Sequence, residues 1–188
     1  MPVPTNNVSG PSEVKAYIGL GSNLDDPVKQ LQRARRSLAS LPMTRLLECS
    51  SLYMTAPLGF EDQADFANAV CCVATSLSAI NLLIQLQVIE DRQGRVRDGQ
   101  HDGPRTLDLD LLLYGSKTLR QSGLKVPHPR LQQRAFVLYP LAEIAKKTRV
   151  PGLATVSSLL DACPRQRIER VLTPQSWMPD RVRHDGVI

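Results

Sequence analysis

The chain has no apolar run approaching the ~20 residues that a membrane span requires. Its first residues, Met1-Pro2-Val3-Pro4-Thr5-Asn6-Asn7, lack the charged start and apolar block of a secretory signal. The expected location is therefore the cytoplasm, with no membrane partner. Aromatic residues are only 4% of the sequence, too few for the exposed stacking platforms with which a β-sheet reads single-stranded RNA, so no nucleic-acid partner is expected. The four cysteines, Cys49, Cys71, Cys72 and Cys163, contain no C-x-x-C pair. That spacing argues against zinc, and a cytoplasmic chain is expected to keep them as buried free thiols. No G-x-x-x-x-G-K-[ST] phosphate loop occurs. Gly19-Leu20-Gly21-Ser22-Asn23-Leu24 begins like a dinucleotide fingerprint but has Leu24 where the third glycine belongs; a tight strand-to-helix turn is the better reading.

What remains is an ordinary soluble composition. The 188 residues are 42% apolar and 22% charged, which fits one folded domain rather than a disordered chain or two domains. Residues 1–13, rich in Pro, Ser, Asn and Gly, read as a flexible arm, 14–172 as the single domain, and 173–188 as a C-terminal extension carrying Trp177. Lys and Arg exceed Asp and Glu by 23 to 18, for a net charge of +5. The excess is confined to one segment: Arg92 to Arg134 holds nine basic and four acidic residues. Arginine forks match phosphate oxygens, so this bias points to a phosphate-bearing partner, although a solvated basic face explains the charge equally well.

The apolar spacing predicts the order β-α-β-β-α-β. A strand over Lys15–Leu20 ends at Gly21-Ser22-Asn23, and Asp26 with Pro27 can open a helix whose face is Val28, Leu31, Ala34, Leu38 and Leu41. Leu46–Tyr53 and Phe66–Thr75 read as strands, Ser78 as the cap of a second helix, and Leu107–Tyr114 as a further strand. This is an α+β pattern with a ferredoxin-like core. Later pieces, an extended Leu124-Lys125-Val126 and helices near Arg134–Ala145 and Val156–Ala162, should add a hairpin and a further layer, making three layers, α/β/α.

Alternation along Leu107-Asp108-Leu109-Asp110-Leu111 puts both aspartates on one side of the strand and the leucines on the other. Two carboxylates so placed repel unless a cation lies between them, and their spacing suits a two-metal site. A strand facing water with Arg105 neutralising the pair is the plainer alternative. The neighbouring Arg95, Arg97 and Arg105 favour phosphoryl transfer, in which catalysis is mostly positioning and charge neutralisation. A glycosidase has no use for three arginines beside its carboxylates. Gly94, Gly99 and Gly103 would let the arginine loop act as a lid.

Several ordered segments together resemble 6-hydroxymethyl-7,8-dihydropterin pyrophosphokinase, a family of folate biosynthesis. They are Ile18-Gly19-Leu20-Gly21-Ser22-Asn23-Leu24, Tyr53 to Asn68 with its Thr-x-Pro-Leu-Gly core, Gly94-Arg95-Val96-Arg97, Gly103-Pro104-Arg105-Thr106-Leu107-Asp108-Leu109-Asp110-Leu111-Leu112, and Val126-Pro127-His128-Pro129-Arg130. The resemblance implies a ferredoxin-like core with added strands, and transfer of diphosphate from ATP to the hydroxymethyl group of the reduced pterin, releasing AMP. It implies Asp108 and Asp110 as ligands of two Mg2+ ions, and Arg95 and Arg105 as catalytic. Gln87, Glu90, Arg97, Leu111, His128 and Arg134 fall where that family contacts ATP, and Thr55, Ala56, Leu58, Phe66, Asn68 and Phe136 where it holds the pterin. The enzyme is expected to be a monomer with ATP as co-substrate. The chain departs from the resemblance where His101 and Asp102 stand in place of a common Arg-Trp pair, Ala56 in place of a proline, and Pro129 in place of an aromatic.

Overall fold

A computed structural model describes residues 12–57, 63–96 and 103–171. The element order is β1 (Val14–Ser22), α1 (Pro27–Ala39), β2 (Thr44–Cys49), β3 (Leu52–Thr55), β4 (Phe66–Thr75), α2 (Ala79–Arg92), β5 (Asp108–Tyr114), β6 (Leu119–Gln121), β7 (Leu124–Val126), α3 (Ala135–Ala145), α4 (Val156–Asp161) and β8 (Ile168–Val171). Both expected caps form: the Asp26 carboxylate accepts from Lys29 N, and Ser78 Oγ from Asn81 N. The expected Leu46–Tyr53 strand is instead two, β2 and β3, broken at Ser50-Ser51. Ser50 keeps the break attached to β4, donating its N–H to Val70 O at 2.8 Å and accepting from Val70 N at 3.0 Å through Oγ.

Antiparallel pairing gives the order β5-β1-β4-β3-β8, with β2 also on β4, while β6 and β7 form a separate hairpin. β4 lies in the middle and is buried on both faces, which explains its unbroken apolar run. Its odd-numbered residues Ala67, Ala69, Cys71 and Val73 join Ala16, Ile18 and Leu20 of β1 in a core against α1 and α2. Val70 and Cys72, with Tyr17 and Leu112, face the other way, onto α3 and α4. The chain is thus an α+β fold: an antiparallel sheet with a helix pair on each face.

Two features differ from the expectation. Cys49 and Cys71 stand directly opposite each other across β2 and β4, and they form a disulfide. Only Cys72 and Cys163 are free thiols. The charged strand β8, which no alternation announces, pairs with β3 as the outermost strand. The expected arm and extension fall almost wholly outside the described residues. Among the described residues, no helix is long and apolar enough to cross a membrane.

The second core is what fixes α3 on the sheet, and Leu138 at its centre is completely buried. Leu138→Ala is predicted to destabilise the protein by about 2–5 kcal/mol in denaturant unfolding. A loss under about 1 kcal/mol would contradict this packing.

Candidate active site

The face of the sheet under α3 is covered at one end and open at the other. At the open end β1 contributes Gly19 and Gly21, which pair with Asp110 and Asp108 of β5 on one side; across β4, Gly21 pairs with Asn68. The missing side chains create a trough between the carboxylates and the amide. A Cβ on Gly21 would stand 3.3 Å from Asn68 Oδ1, and one on Gly19 3.4 Å from the Leu112 side chain. The result is a cavity of about 200 Å³, walled by these strands and by the segment leading into α3.

The acidic end is built by local chain geometry. α2 ends where Gly94 adopts a left-handed φ of 80°. Arg95 N then donates to Glu90 O and Gly94 N to Asp91 O, both at 3.1 Å, the paired closure that a glycine in this position allows. This turn sends Arg95 back over the end of β5, where Nη1 donates to Leu107 O at 3.1 Å and forms ion pairs with Asp108 and Glu90. Burial works against the charge on Arg95, but Asp108 and then Glu90 outweigh it and hold the guanidinium more firmly protonated than usual. Glu90 is itself buried; its Oε1 also accepts from Leu109 N at 2.8 Å, capping the free edge of β5. Arg105 Nη1 reaches the other oxygen of Asp108 at 2.8 Å.

Asp110, beside it, is more weakly held, with Arg134 Nη1 at 3.5 Å and His128 Nε2 at 3.8 Å. Desolvation first, and then the charge of Asp108, push its carboxyl up to about 6, against the pull of Arg134, Arg105 and Arg95. Burial, together with Arg134 and Arg130, pushes His128 down to about 4, so this imidazole is neutral near pH 7.

The other end is suited to a flat polar ring. Asn68 Nδ2 donates to Thr55 Oγ1 at 2.9 Å and to Phe66 O at 3.2 Å, which fixes the amide so that Oδ1 lies toward Gly21. Phe66 of β4 and Phe136 of α3 both line the cavity, each with an arginine over its ring: Arg105 Cζ lies 5.5 Å from the Phe66 centroid and Arg134 Cζ 5.4 Å from that of Phe136. The same two arginines contact the aspartates, so the ring walls and the acidic end share their cations.

The structure brings together Arg105, Asp108, Asp110, Arg134, Thr55, Ala56, Phe66, Asn68 and Phe136 around one cavity. Arg95 and Glu90 stand behind Asp108 and outside the cavity lining. Gln87 is exposed on α2, and the Leu111 side chain is buried in the core against α1 and α2, on the far side of β5 from the aspartates. Leu58 and Arg97, with the rest of the expected lid over 97–102, lie outside the described residues.

Sequence reasoning missed the glycine floor, Arg130 and Gln133 on the cavity wall, and the role of Asn23. Asn23 is buried and accepts from Arg105 N at 2.8 Å through Oδ1; its Nδ2 donates to Gln63 Oε1 at 3.0 Å and to Ala64 O at 3.2 Å. It thereby ties the two chain segments flanking the cavity. These contacts join residues 40 and 82 positions apart, and no spacing rule announces them.

Among the described residues there is no cluster of three or more metal-ligating side chains. Two adjacent carboxylates are nevertheless the donor set that Mg2+ takes when substrate phosphates supply further oxygens. Asp108 and Asp110 fit that role once Asp108 exchanges part of its arginine contacts.

Comparison with known proteins identifies the family. Residues 17–146 match the model of the 7,8-dihydro-6-hydroxymethylpterin-pyrophosphokinase family. The 2-amino-4-hydroxy-6-hydroxymethyldihydropteridine pyrophosphokinase of Pseudomonas aeruginosa is 50% identical over 157 residues, 84% of this chain and 96% of that protein. The Haemophilus influenzae protein of the same name is 45% identical over 147 residues, covering 78% and 91% of the two chains. The wild-type Plasmodium falciparum HPPK-DHPS structure with pterin and p-hydroxybenzoate shares the fold, with a TM-score of 0.63 at 14% identity. That match covers 81% of this chain and 43% of the longer Plasmodium chain. The chain therefore belongs to the 7,8-dihydro-6-hydroxymethylpterin-pyrophosphokinase family.

Proposed function

We propose that the trough over Gly19 and Gly21 is where this chain carries out its family's reaction, pyrophosphoryl transfer from ATP to 6-hydroxymethyl-7,8-dihydropterin in folate biosynthesis. The observation that carries this reading is the common face of Asp108, Asp110 and Asn68, with only glycines between them. A cavity of about 200 Å³ takes one flat bicyclic ring, and a triphosphate must lie across its mouth, beside the aspartates. Asn68 meets the pyrimidinone edge, Thr55 holds Asn68, and Phe66 and Phe136 close on the ring faces. Leu58 and Ala56 belong to the same ring site in this reading, and Gln87, Glu90, Arg97, Leu111 and His128 to the nucleotide side.

Asp108 and Asp110 would hold two Mg2+ ions, which neutralise polyphosphate charge when bound. The arginines do the rest. Arg105 and Arg134 leave the phenylalanine faces as the pterin enters and meet phosphate oxygens, while Arg95, locked by Glu90, keeps a fixed positive charge at the transferring group. The pterin hydroxyl attacks the β-phosphorus in line. A bond forms from its oxygen to that phosphorus as the hydroxyl proton passes to solvent, the bond to the oxygen bridging the α-phosphate breaks, and AMP leaves. No cysteine, serine or histidine serves as a nucleophile. The same reading takes the core as ferredoxin-like, supported by the order β5-β1-β4-β3, and the enzyme as a cytoplasmic monomer acting on small molecules alone.

Asp108→Asn and Asp110→Asn are each predicted to lower AMP formation from ATP, Mg2+ and the pterin at least about a hundredfold, with melting temperatures within a few degrees of the parent. Near-normal turnover in either variant would defeat the metal assignment.

The raised Asp110 carboxyl gives a second prediction. The folded protein without ligand holds this proton up to about pH 6, so the group favours the fold at low pH and that contribution is lost as pH rises through about 6. Binding Mg2+ with a nonhydrolysable ATP analogue requires the ionised carboxylate. Calorimetry in buffers of different ionisation enthalpy should therefore show proton release at pH 6 that disappears by pH 8. Equal proton release at both pH values, or none at either, would contradict the assignment.

A further inference from the structure

We infer that Glu143, on α3 and outside the cavity lining, is a positioning residue that sets the spacing of the pterin-binding walls. The inference rests on the site reading above. One wall, Phe136, is carried by the first turn of α3, and the other, Asn68 with Thr55, by the sheet. The apolar core seats α3 on β4, and its height over β3 is left to a further tie, because the first turn is poorly braced by the helix itself. Pro140 has no N–H to give the Phe136 carbonyl four residues earlier.

Glu143 supplies that tie. It lies seven residues after Phe136, two helical turns on and so on the same side of α3. Its Oε2 accepts from Ser51 N and from Tyr53 OH, both at 3.0 Å, and its Oε1 accepts from Ser51 Oγ at 2.8 Å and Arg170 Nη2 at 3.0 Å. One carboxylate thus takes hydrogen bonds from β3, from the residue leading into it, and from β8. Tyr139, one turn before Glu143, adds a second contact to the same tyrosine, its ring centroid 6.4 Å from that of Tyr53.

Tyr53 is the route to the site. It is buried and sits directly opposite Asn68 in the β3–β4 register, while Thr55, two residues on along the same face, accepts from Asn68 Nδ2. Desolvation, reinforced by Glu143, pushes the Tyr53 phenol up to about 12, so it remains a donor at every working pH. Moving Glu143 therefore shifts Phe136 relative to Asn68, while Asp108 and Asp110 on β5, toward the opposite edge of the sheet, stay in place. The consequence is graded: pterin binding should suffer most, and nucleotide binding, which α3 reaches through Arg134, should suffer less.

The test is steady-state kinetics and thermal melting of Glu143→Ala, Glu143→Gln, Tyr53→Phe and Arg170→Ala beside the parent. Glu143→Ala should raise KM for the pterin about tenfold or more while KM for ATP rises no more than about threefold. Glu143→Gln keeps one acceptor oxygen and should fall between, and Tyr53→Phe should move in the same direction by a few-fold. Arg170→Ala removes the β8 bond to Glu143 and the two bonds from Arg170 to Ser51 Oγ, but leaves Glu143 bonded to Ser51 N and Tyr53 OH, so it should lower the melting temperature with pterin KM within twofold. If Glu143→Ala does not fold, Glu143→Gln and Tyr53→Phe decide the matter. Unchanged pterin KM in the folded variants, or equal rises for pterin and ATP, would overturn the inference while leaving the site reading intact. A parent protein that makes no AMP from ATP, Mg2+ and the pterin would overturn both.

Discussion

Asp108 and Asp110 are like charges on one side of one strand, partly withdrawn from water, and the arrangement holds only because cations converge on it. Arg95 and Arg105 take Asp108 from two directions, while Arg134 stands off Asp110 at 3.5 Å. Repulsion and desolvation are left incompletely balanced at Asp110, and its raised carboxyl pKa is the result. In a binding site this imbalance is useful. A pair that its own arginines neutralised fully would have little attraction left for divalent cations, and arginines bound fully to carboxylates would have little left for phosphate.

The fold places this imbalance through an unequal covering of one sheet face. α1 and α2 close the opposite face with a continuous apolar core, against which Leu107, Leu109 and Leu111 are anchored. α3 and α4 cover the near face only as far as Tyr17, Val70, Cys72 and Leu112. Beyond that line the same strands present Gly19, Gly21, Asn68 and the aspartates, and Arg134 and Phe136 reach over them from the start of α3. Stability and function thus occupy two ends of one surface. On the proposed reading, the Arg105–Phe66 and Arg134–Phe136 contacts would link ring recognition to phosphate recognition, since the cation over each ring would have to move when another flat group takes its place.

Much of this was legible in the sequence where the governing physics is local. The aspartates share a face because strands alternate, and Ser78 and Asp26 cap because their side chains reach backbone N–H groups three residues on. What depends on register was not legible. The Cys49–Cys71 pair exists only because an irregularity between Leu46 and Glu48 brings those positions opposite each other. Gly19 reads as the end of a strand and Gly21 as the turn after it until their pairing with Asp110 and Asp108 shows them to be a floor. β8 carries charged residues at its centre and is held by pairing to β3, a contact more than a hundred residues away in the chain. Glu90 shows the same limit: no spacing on α2 announces that its carboxylate turns inward to Arg95 and the edge of β5.

The most direct test of the central claim is a crystal structure with Mn2+ in place of Mg2+, a nonhydrolysable ATP analogue and 6-hydroxymethylpterin, the metal located by its anomalous scattering. The account predicts anomalous peaks in contact with the carboxylates of both Asp108 and Asp110, and the pterin ring between Phe66 and Phe136. A nucleotide bound with its metal touching neither aspartate would contradict it.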